Sequence, residues 1–227
     1  MPLLSKVVKK HLFFSMECFL KDNNLDLPES AKVSFEFLNS LKEQKILDFY
    51  LISGFEEKKA LEFFKSCPLK DYFDLEKFFY VDQKYLDSKT EIDKQRYVES
   101  LSDNKNFIDH YFKQIVLSDF IVNKKVDVKE LVLLGNDLLF DAFYTIRFSK
   151  VDFVLLSSKV SMRGKAMQKE IGGLNYFSFS KDDFKRVIEW DFPKQNFFEL
   201  EKFVFDDIAK GILGENFKEN LQKSLKQ

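Results

Sequence analysis

The sequence predicts a three-layer α/β domain, in which helices cover both faces of a parallel sheet. Apolar, strand-like runs alternate along the chain with helix-like segments. These runs are almost continuously apolar, as is typical of parallel strands buried on both faces. The chain has 227 residues, of which 45% are hydrophobic, so it can form one sizeable core.

The first half of the chain predicts three strands and two helices. The strands are residues 11–14, 46–52 and 78–81, and Ser53-Gly54 is expected to end the second. Between the first two strands, a helix is predicted from apolar residues spaced to share one face: Val33, Phe37, Leu38 and Leu41. Residues 56–66 are rich in good helix formers and predict the second helix.

The second half continues the alternation and adds a helical extension. Helical patterns cover residues 91–120, 138–148, 161–171 and 182–190, and strands are expected at 131–134, 153–156 and 176–179. After Pro193, residues 197–225 predict one or two amphipathic helices. We therefore expect a core over 1–192 with a helical insertion at about 84–122, and a C-terminal helical extension over 193–227. The extension either packs on its own domain or forms a dimer or partner interface.

Composition excludes several classes of protein. Lys+Arg is 36 and Asp+Glu is 37, a balance that argues against a general nucleic-acid binder. Two cysteines and two histidines are too few for a disulfide scaffold or for a metal centre built on those residues. No uncharged run approaches the ~20 residues of a membrane span. The basic start is not expected to be a secretory signal, because Glu17 interrupts the apolar run that follows it. The expectation is a cytoplasmic protein that binds neither nucleic acid nor membrane.

Polar residues that follow the predicted strands are the candidates for chemistry, because ligands bind beyond the carboxyl ends of strands in a doubly wound sheet. They are Ser15 and Glu17, Ser53 and Gly54, and then Asn136, Asp137 and Asp141. Lys105, at the start of a predicted helix, can join them. A hydroxyl and a lysine suit a phosphate group, and acidic residues suit a hard cation such as magnesium. The pattern therefore predicts a site for phosphate and magnesium.

The order and spacing of three motifs resemble the haloacid dehalogenase-like (HAD) superfamily of phosphohydrolases. HLFFSMECFL (11–20) is similar to the first motif, FYLISG (49–54) to the second and LVLLGNDLLFDAF (131–143) to the fourth. For the lysine of the third motif, Lys105 is the first choice and Lys94 the rival. The resemblance covers roughly residues 9–188 and implies a Rossmann-like fold, with magnesium as the cofactor.

The departures from those motifs bear directly on activity. The resemblance places Ser15 at the position of the nucleophilic aspartate, Glu17 at that of the acid/base, and Asn136 at that of a metal-binding aspartate. Asp137 and Asp141 keep acidic groups nearby. Serine is a poor nucleophile without an adjacent base, and neutral oxygens hold magnesium weakly. Metal binding is accordingly expected to be weak or lost.

Three functions remain open from the sequence. The first is a non-catalytic HAD-like protein that binds a small phosphorylated ligand or a protein partner. The second is an active, magnesium-dependent phosphatase rebuilt on Glu17, Asp137 and Asp141. The third is a structural subunit, for example a homodimer, that works through its C-terminal helices.

Each of the site residues also has a simpler interpretation. Ser15, Ser53 and the Asn136-Asp137 pair favour helix starts, where they can act only as caps. Glu17 and Lys105 can be ordinary solvated side chains.

Overall fold

The described residues build an α/β fold around a six-stranded sheet. The computed structural model describes residues 9–19, 29–95, 109, 111–135, 138–155 and 187–189. The strands are β1 (His11–Ser15), β2 (Asp48–Glu56), β3 (Phe78–Val81), β4 (Leu131–Gly135), β5 (Asp152–Leu155) and β6 (Val187–Glu189). Their order is β3-β2-β1-β4-β5-β6, and all neighbouring strands are parallel. The predicted parallel sheet is confirmed.

Helices and short turns connect these strands. The α-helices with described bounds are α1 (Glu29–Glu43), α2 (Glu57–Ser66), α3 (Gln83–Asp87), α4 (Phe112–Lys124) and α5 (Tyr144–Ser149). A 3-10 turn, Met16–Phe19, follows β1 directly, and a π-helical turn, Leu138–Phe143, precedes α5. Within the described residues, no helix is both long and apolar enough to cross a membrane.

Two apolar clusters lie on opposite faces of the sheet. On one face, Phe14 and Phe49 pack with the α1 residues Phe35 and Leu38. On the other face, Phe13, Tyr50 and Leu133 pack with the α4 and α5 residues Phe112, Leu117, Phe120 and Ile146. Successive strand residues point to opposite faces, and here both faces are covered. This is why the strands are continuously apolar.

The strand order brings the carboxyl ends of β1, β2 and β4 together. β1 lies between β2 and β4, with Ser15 paired to Ile52 and Phe14 paired to Leu134. Ser15, Ser53 and Gly135 therefore lie at the same edge of one parallel sheet, as expected for the carboxyl ends of parallel strands.

A buried ion pair joins strands at the opposite edge. Lys9, just before β1, has no exposed surface, and its Nζ donates to Asp152 Oδ2 at 2.6 Å. The same ammonium group donates to the carbonyl oxygens of Lys129 and Leu131 at 2.9 and 3.1 Å. It thereby holds the starts of β1, β4 and β5 in register.

Several predicted boundaries were wrong. Ser53-Gly54 does not end β2, which continues to Glu56 with a shift of its register against β3 between Ile52 and Glu56. Residues 187–189 form a strand, whereas a helix over 182–190 was predicted. In α1, Phe35 is buried and Phe37 is only partly buried.

Other predictions concern residues outside those described. They are the helix at 161–171, the strand at 176–179 and the C-terminal helices over 197–225. The proposed insertion at about 84–122 is described only in part. Its C-terminal part includes most of α4, which packs on the sheet.

Candidate functional site

Ser15 lies at the centre of a polar cluster at the carboxyl edge of the sheet. It is the last residue of β1 and has no exposed surface. Its Oγ lies 2.8 Å from Asp141 Oδ1 and 2.9 Å from Glu17 Oε2. A hydroxyl has one proton, so it can donate to only one of these carboxylates at a time.

Glu17 turns back over the ends of β1 and β2. The 3-10 turn Met16–Phe19 directs its carboxylate to Ser53 and Gly54, so that Oε1 accepts from Ser53 Oγ at 2.9 Å and from the Gly54 N–H at 2.6 Å. The other oxygen, Oε2, accepts from Lys113 Nζ at 2.8 Å. The side chain is 10% exposed, whereas Ser15, Ser53 and Lys113 have no exposed surface.

The irregular end of β2 supplies the donors to Glu17. The ladder to β3 shifts after Ile52, and the Gly54 N–H points to the carboxylate. Ser53 Oγ also accepts a hydrogen bond from the Phe55 N–H at 3.1 Å, which fixes the hydroxyl in place. The extension of β2 past Ser53 is therefore part of the site.

Lys113 supplies the positive charge. Its three N–H donors have three acceptors: Asp141 Oδ1 at 2.5 Å, Glu17 Oε2 at 2.8 Å and Ser15 Oγ at 2.9 Å. The helix that carries it, α4, is capped by Asp109, whose Oδ1 accepts from the N–H groups of Tyr111 and Phe112 at 2.8 and 3.1 Å. Asp109 also pairs with Lys89 at 2.7 Å.

Asp141 enters the cluster from the π-helical turn Leu138–Phe143, and only 1% of its surface is exposed. Gly135, at the end of β4, leaves room for it. A Cβ added at Gly135 would lie 2.8 Å from the Asp141 Cγ, closer than such atoms pack. A glycine is needed there because the carboxylate lies against the backbone.

The ionisation of the cluster follows from its contacts. Burial alone would raise the pKa of Glu17, but the charge of Lys113 and hydrogen bonds, including that from Gly54, hold it below its ordinary value of 4.5. Burial would lower the pKa of Lys113, but Asp141 and Glu17 raise it above the ordinary value of 10.5. At neutral pH Glu17 is thus ionised and Lys113 is protonated, and the two form a buried ion pair.

The structure brings together most of the predicted site residues. Five of them meet in this cluster: Ser15, Glu17, Ser53, Gly54 and Asp141. Glu17 is not the solvated side chain of the simpler interpretation. Asn136, Asp137 and Lys105 lie outside the described residues, so their roles stay predictions. Lys94, the rival lysine, pairs with Glu91 at 2.8 Å on a partly exposed stretch.

The lysine of the cluster, Lys113, was not predicted. It shares the inward face of α4 with Leu117 and Phe120, at spacings of four and seven residues. A single charge on an otherwise apolar helix face was the signal in the sequence. It was missed because the residues around it were interpreted only as part of a helix.

The oxygen atoms of the described part of the site are not arranged to bind a magnesium ion. Ser15 Oγ, Glu17 Oε2 and Asp141 Oδ1 already surround the ammonium group of Lys113, so a divalent cation at these oxygens would lie beside another positive charge. Within the part of the chain that the structure describes, no three His, Cys, Asp or Glu side chains are grouped to hold a metal.

No protein-family model, curated protein or solved structure matches the chain. The resemblance to the HAD superfamily therefore stays a prediction from the motifs.

Proposed function

We propose that the chain is a HAD-like protein that binds a small phosphorylated ligand without hydrolysing it. The observation that carries this proposal is the state of Ser15, which stands where the resemblance puts the nucleophile. Its hydroxyl is fully buried and enclosed by Lys113, Glu17 and Asp141. An enclosed hydroxyl has no open side from which to attack a phosphorus atom.

Two neighbours of Ser15, Glu17 and Lys113, are also poor general bases. Glu17 has a lowered pKa and accepts hydrogen bonds through both oxygens, so it has little tendency to take a proton. Lys113 is protonated, because its pKa is raised, and an ammonium group cannot act as a base. Activation of a serine needs an adjacent base of suitable pKa.

The donors at the sheet edge support binding of an oxyanion. A hydroxyl at Ser53, a backbone N–H at Gly54 and an ammonium group at Lys113 converge on one carboxylate. Charge-assisted hydrogen bonds of this kind are the strong ones in phosphate recognition. The class of ligand we propose is accordingly a phosphate monoester.

A hydrolysis assay tests the proposal. We expect no magnesium-dependent turnover of p-nitrophenyl phosphate above the background of a buffer blank. As a matched control, the Asp141→Asn variant should give the same baseline. Turnover by the wild type that Glu17→Gln or Asp141→Asn abolishes would instead establish an active phosphatase with rearranged acidic residues.

A protein-binding role is the second candidate, and one surface feature favours it. Tyr111 and Phe148 are 50% and 58% exposed, and both rings contact that of Tyr144, with centroids 4.5 and 6.2 Å apart. Exposed aromatic rings are typical of interface centres. Sedimentation velocity on Phe148→Ser tests self-association through this surface, with Val122→Ser, also on an exposed residue, as the control.

A further inference from the structure

We infer that the carboxylate of Glu17 is an internal occupant of the oxyanion site, and that a phosphate ligand enters when this side chain leaves. The inference rests on the proposed function and adds how access to the site is controlled. The donors at the sheet edge are already assembled around an anion, and that anion belongs to the chain itself.

The hydrogen bonds to Glu17 are those that an external oxyanion would accept. Its Oε1 accepts from Ser53 Oγ at 2.9 Å and from the Gly54 N–H at 2.6 Å. Its Oε2 accepts from Lys113 Nζ at 2.8 Å and lies 2.9 Å from Ser15 Oγ. The donors come from the end of β2 and from α4, and each has a contact besides Glu17. Ser53 Oγ accepts from the Phe55 N–H, the Gly54 carbonyl accepts from the Asp109 N–H, and Lys113 Nζ donates to Asp141.

Glu17 is also the member of the cluster best placed to move. It belongs to a single 3-10 turn and its side chain is 10% exposed, whereas Lys113 is fully buried in a helix of 13 residues. Rotation of the Glu17 side chain would uncover the three donors and leave Lys113 paired with Asp141. The Ser15 hydroxyl would still be held between Lys113 and Asp141, at 2.9 and 2.8 Å. An incoming phosphate would then replace the negative charge that left.

The inference predicts that removal of the Glu17 side chain creates phosphate affinity. Glu17→Ala removes the carboxylate and leaves Ser53, Gly54 and Lys113 in place. We expect this variant to bind inorganic phosphate, by calorimetry, at least about tenfold more tightly than the wild type, because an internal competitor is gone. The double variant Glu17→Ala with Ser53→Ala should lose most of the gain, since one donor is absent.

A second buried lysine provides the matched control. Asp152→Ala likewise removes a carboxylate from a fully buried lysine, Lys9, at the other edge of the sheet. Lys9 donates there to backbone carbonyls, and the donors of Ser53 and Gly54 are absent. Asp152→Ala should therefore gain no phosphate affinity. Equal binding by the two variants would overturn the inference, because an uncovered lysine would then explain the result.

Stability provides a readout if Glu17→Ala folds poorly. A ligand that binds only the folded state stabilises it, so phosphate should raise the thermal midpoint of Glu17→Ala above that in chloride at equal ionic strength. Phosphate binding by Glu17→Ala no tighter than by the wild type, with no such rise, overturns the inference. Wild-type turnover of p-nitrophenyl phosphate would overturn the proposed function and leave this binding result to be judged separately.

Discussion

Replacement of Lys113 by methionine should destabilise the fold strongly. The ammonium group has no exposed surface and satisfies Glu17 and Asp141 at 2.8 and 2.5 Å. Methionine has a similar length and no charge, so Lys113→Met leaves two carboxylates in a buried site without their cation. The change tests whether these three groups form the closed cluster that the proposed function requires.

The expected loss follows from the burial of the pair. Removing one partner of a buried ion pair costs about 3–5 kcal/mol, because the remaining charge is uncompensated. For a chain of this length that corresponds to a fall in the thermal midpoint of about 6–20 °C. A control on the second buried lysine should cost less: in Lys9→Met the remaining carboxylate, Asp152, is 15% exposed and can reach water.

The loss should depend on pH, in a direction set by the carboxylates. In the folded wild type the pKa of Glu17 is below its ordinary value of 4.5. The stability that ionised Glu17 contributes is therefore fully present above pH 4.5, and it is lost as the pH falls through the lowered pKa of the folded state. In Lys113→Met, burial without a nearby cation should raise the pKa of Glu17. Acid should then protonate the buried carboxylate and reduce the loss of stability. The difference in free energy of unfolding should be largest at pH 7 and shrink as the pH falls from the raised pKa of the variant to the lowered pKa of the wild type.

Urea unfolding followed by circular dichroism, at pH 7 and at pH 4, measures this difference. The double variant Lys113→Met with Glu17→Gln should recover part of the loss at pH 7, because one of the two charges is then removed. A loss under about 1 kcal/mol at pH 7, the size seen for exposed pairs, would refute the closed cluster.

Three further predictions test the supports of the site. Gly135→Ala should destabilise the protein by about 1–3 kcal/mol in urea unfolding, because its Cβ would displace the Asp141 carboxylate; no loss would mean that the turn can move away. Asp109→Ala should cost about 1–2 kcal/mol of unfolding free energy and Asp109→Asn less, since asparagine can still cap the helix; equal losses would point to the ion pair instead. Ser15→Asp combined with Asn136→Asp adds two carboxylates beyond those that Lys113 already contacts, and should bind magnesium in calorimetry where the wild type binds little; a variant indifferent to magnesium would favour the structural-subunit hypothesis.

The strands that build the site could be predicted because their signal is strong and local. The runs at β1 and β4 are continuously apolar, and each is followed by polar residues, so both the strands and their order at one edge were recognisable. That Ser15, Ser53 and Gly135 lie at one edge followed from parallel pairing, and the expectation that their strands are neighbours came from the resemblance to the HAD motifs. What the pattern could not supply was the path of the chain beyond each strand end.

The missed features are those where tertiary contacts override local patterns. Ser53-Gly54 resembles a turn, yet β2 continues through it. The Gly54 N–H donates to the Glu17 carboxylate and the Gly54 carbonyl accepts from the Asp109 N–H, and these contacts help to hold the segment extended. Residues 187–189 are too short a run for periodicity to distinguish a strand from a helix, and pairing with β5 decides it.

The position of Lys113 explains why residue identities at the strand ends are insufficient to assign an activity. A serine, a glutamate and an aspartate at one sheet edge resemble the remains of a metal site when they are considered alone. In the structure, an ammonium group from α4 lies among all three, and the glutamate takes the donors of β2. Glu17 and Asp141, which could bind a metal ion from solvent, instead contact the ammonium group of Lys113. The hydrogen-bond donors of Ser53 and Gly54, which could bind an anion from solvent, instead bind the Glu17 carboxylate. The proposed binding of phosphate at this edge requires that Glu17 be displaced, which makes the Glu17→Ala comparison the most informative of these experiments.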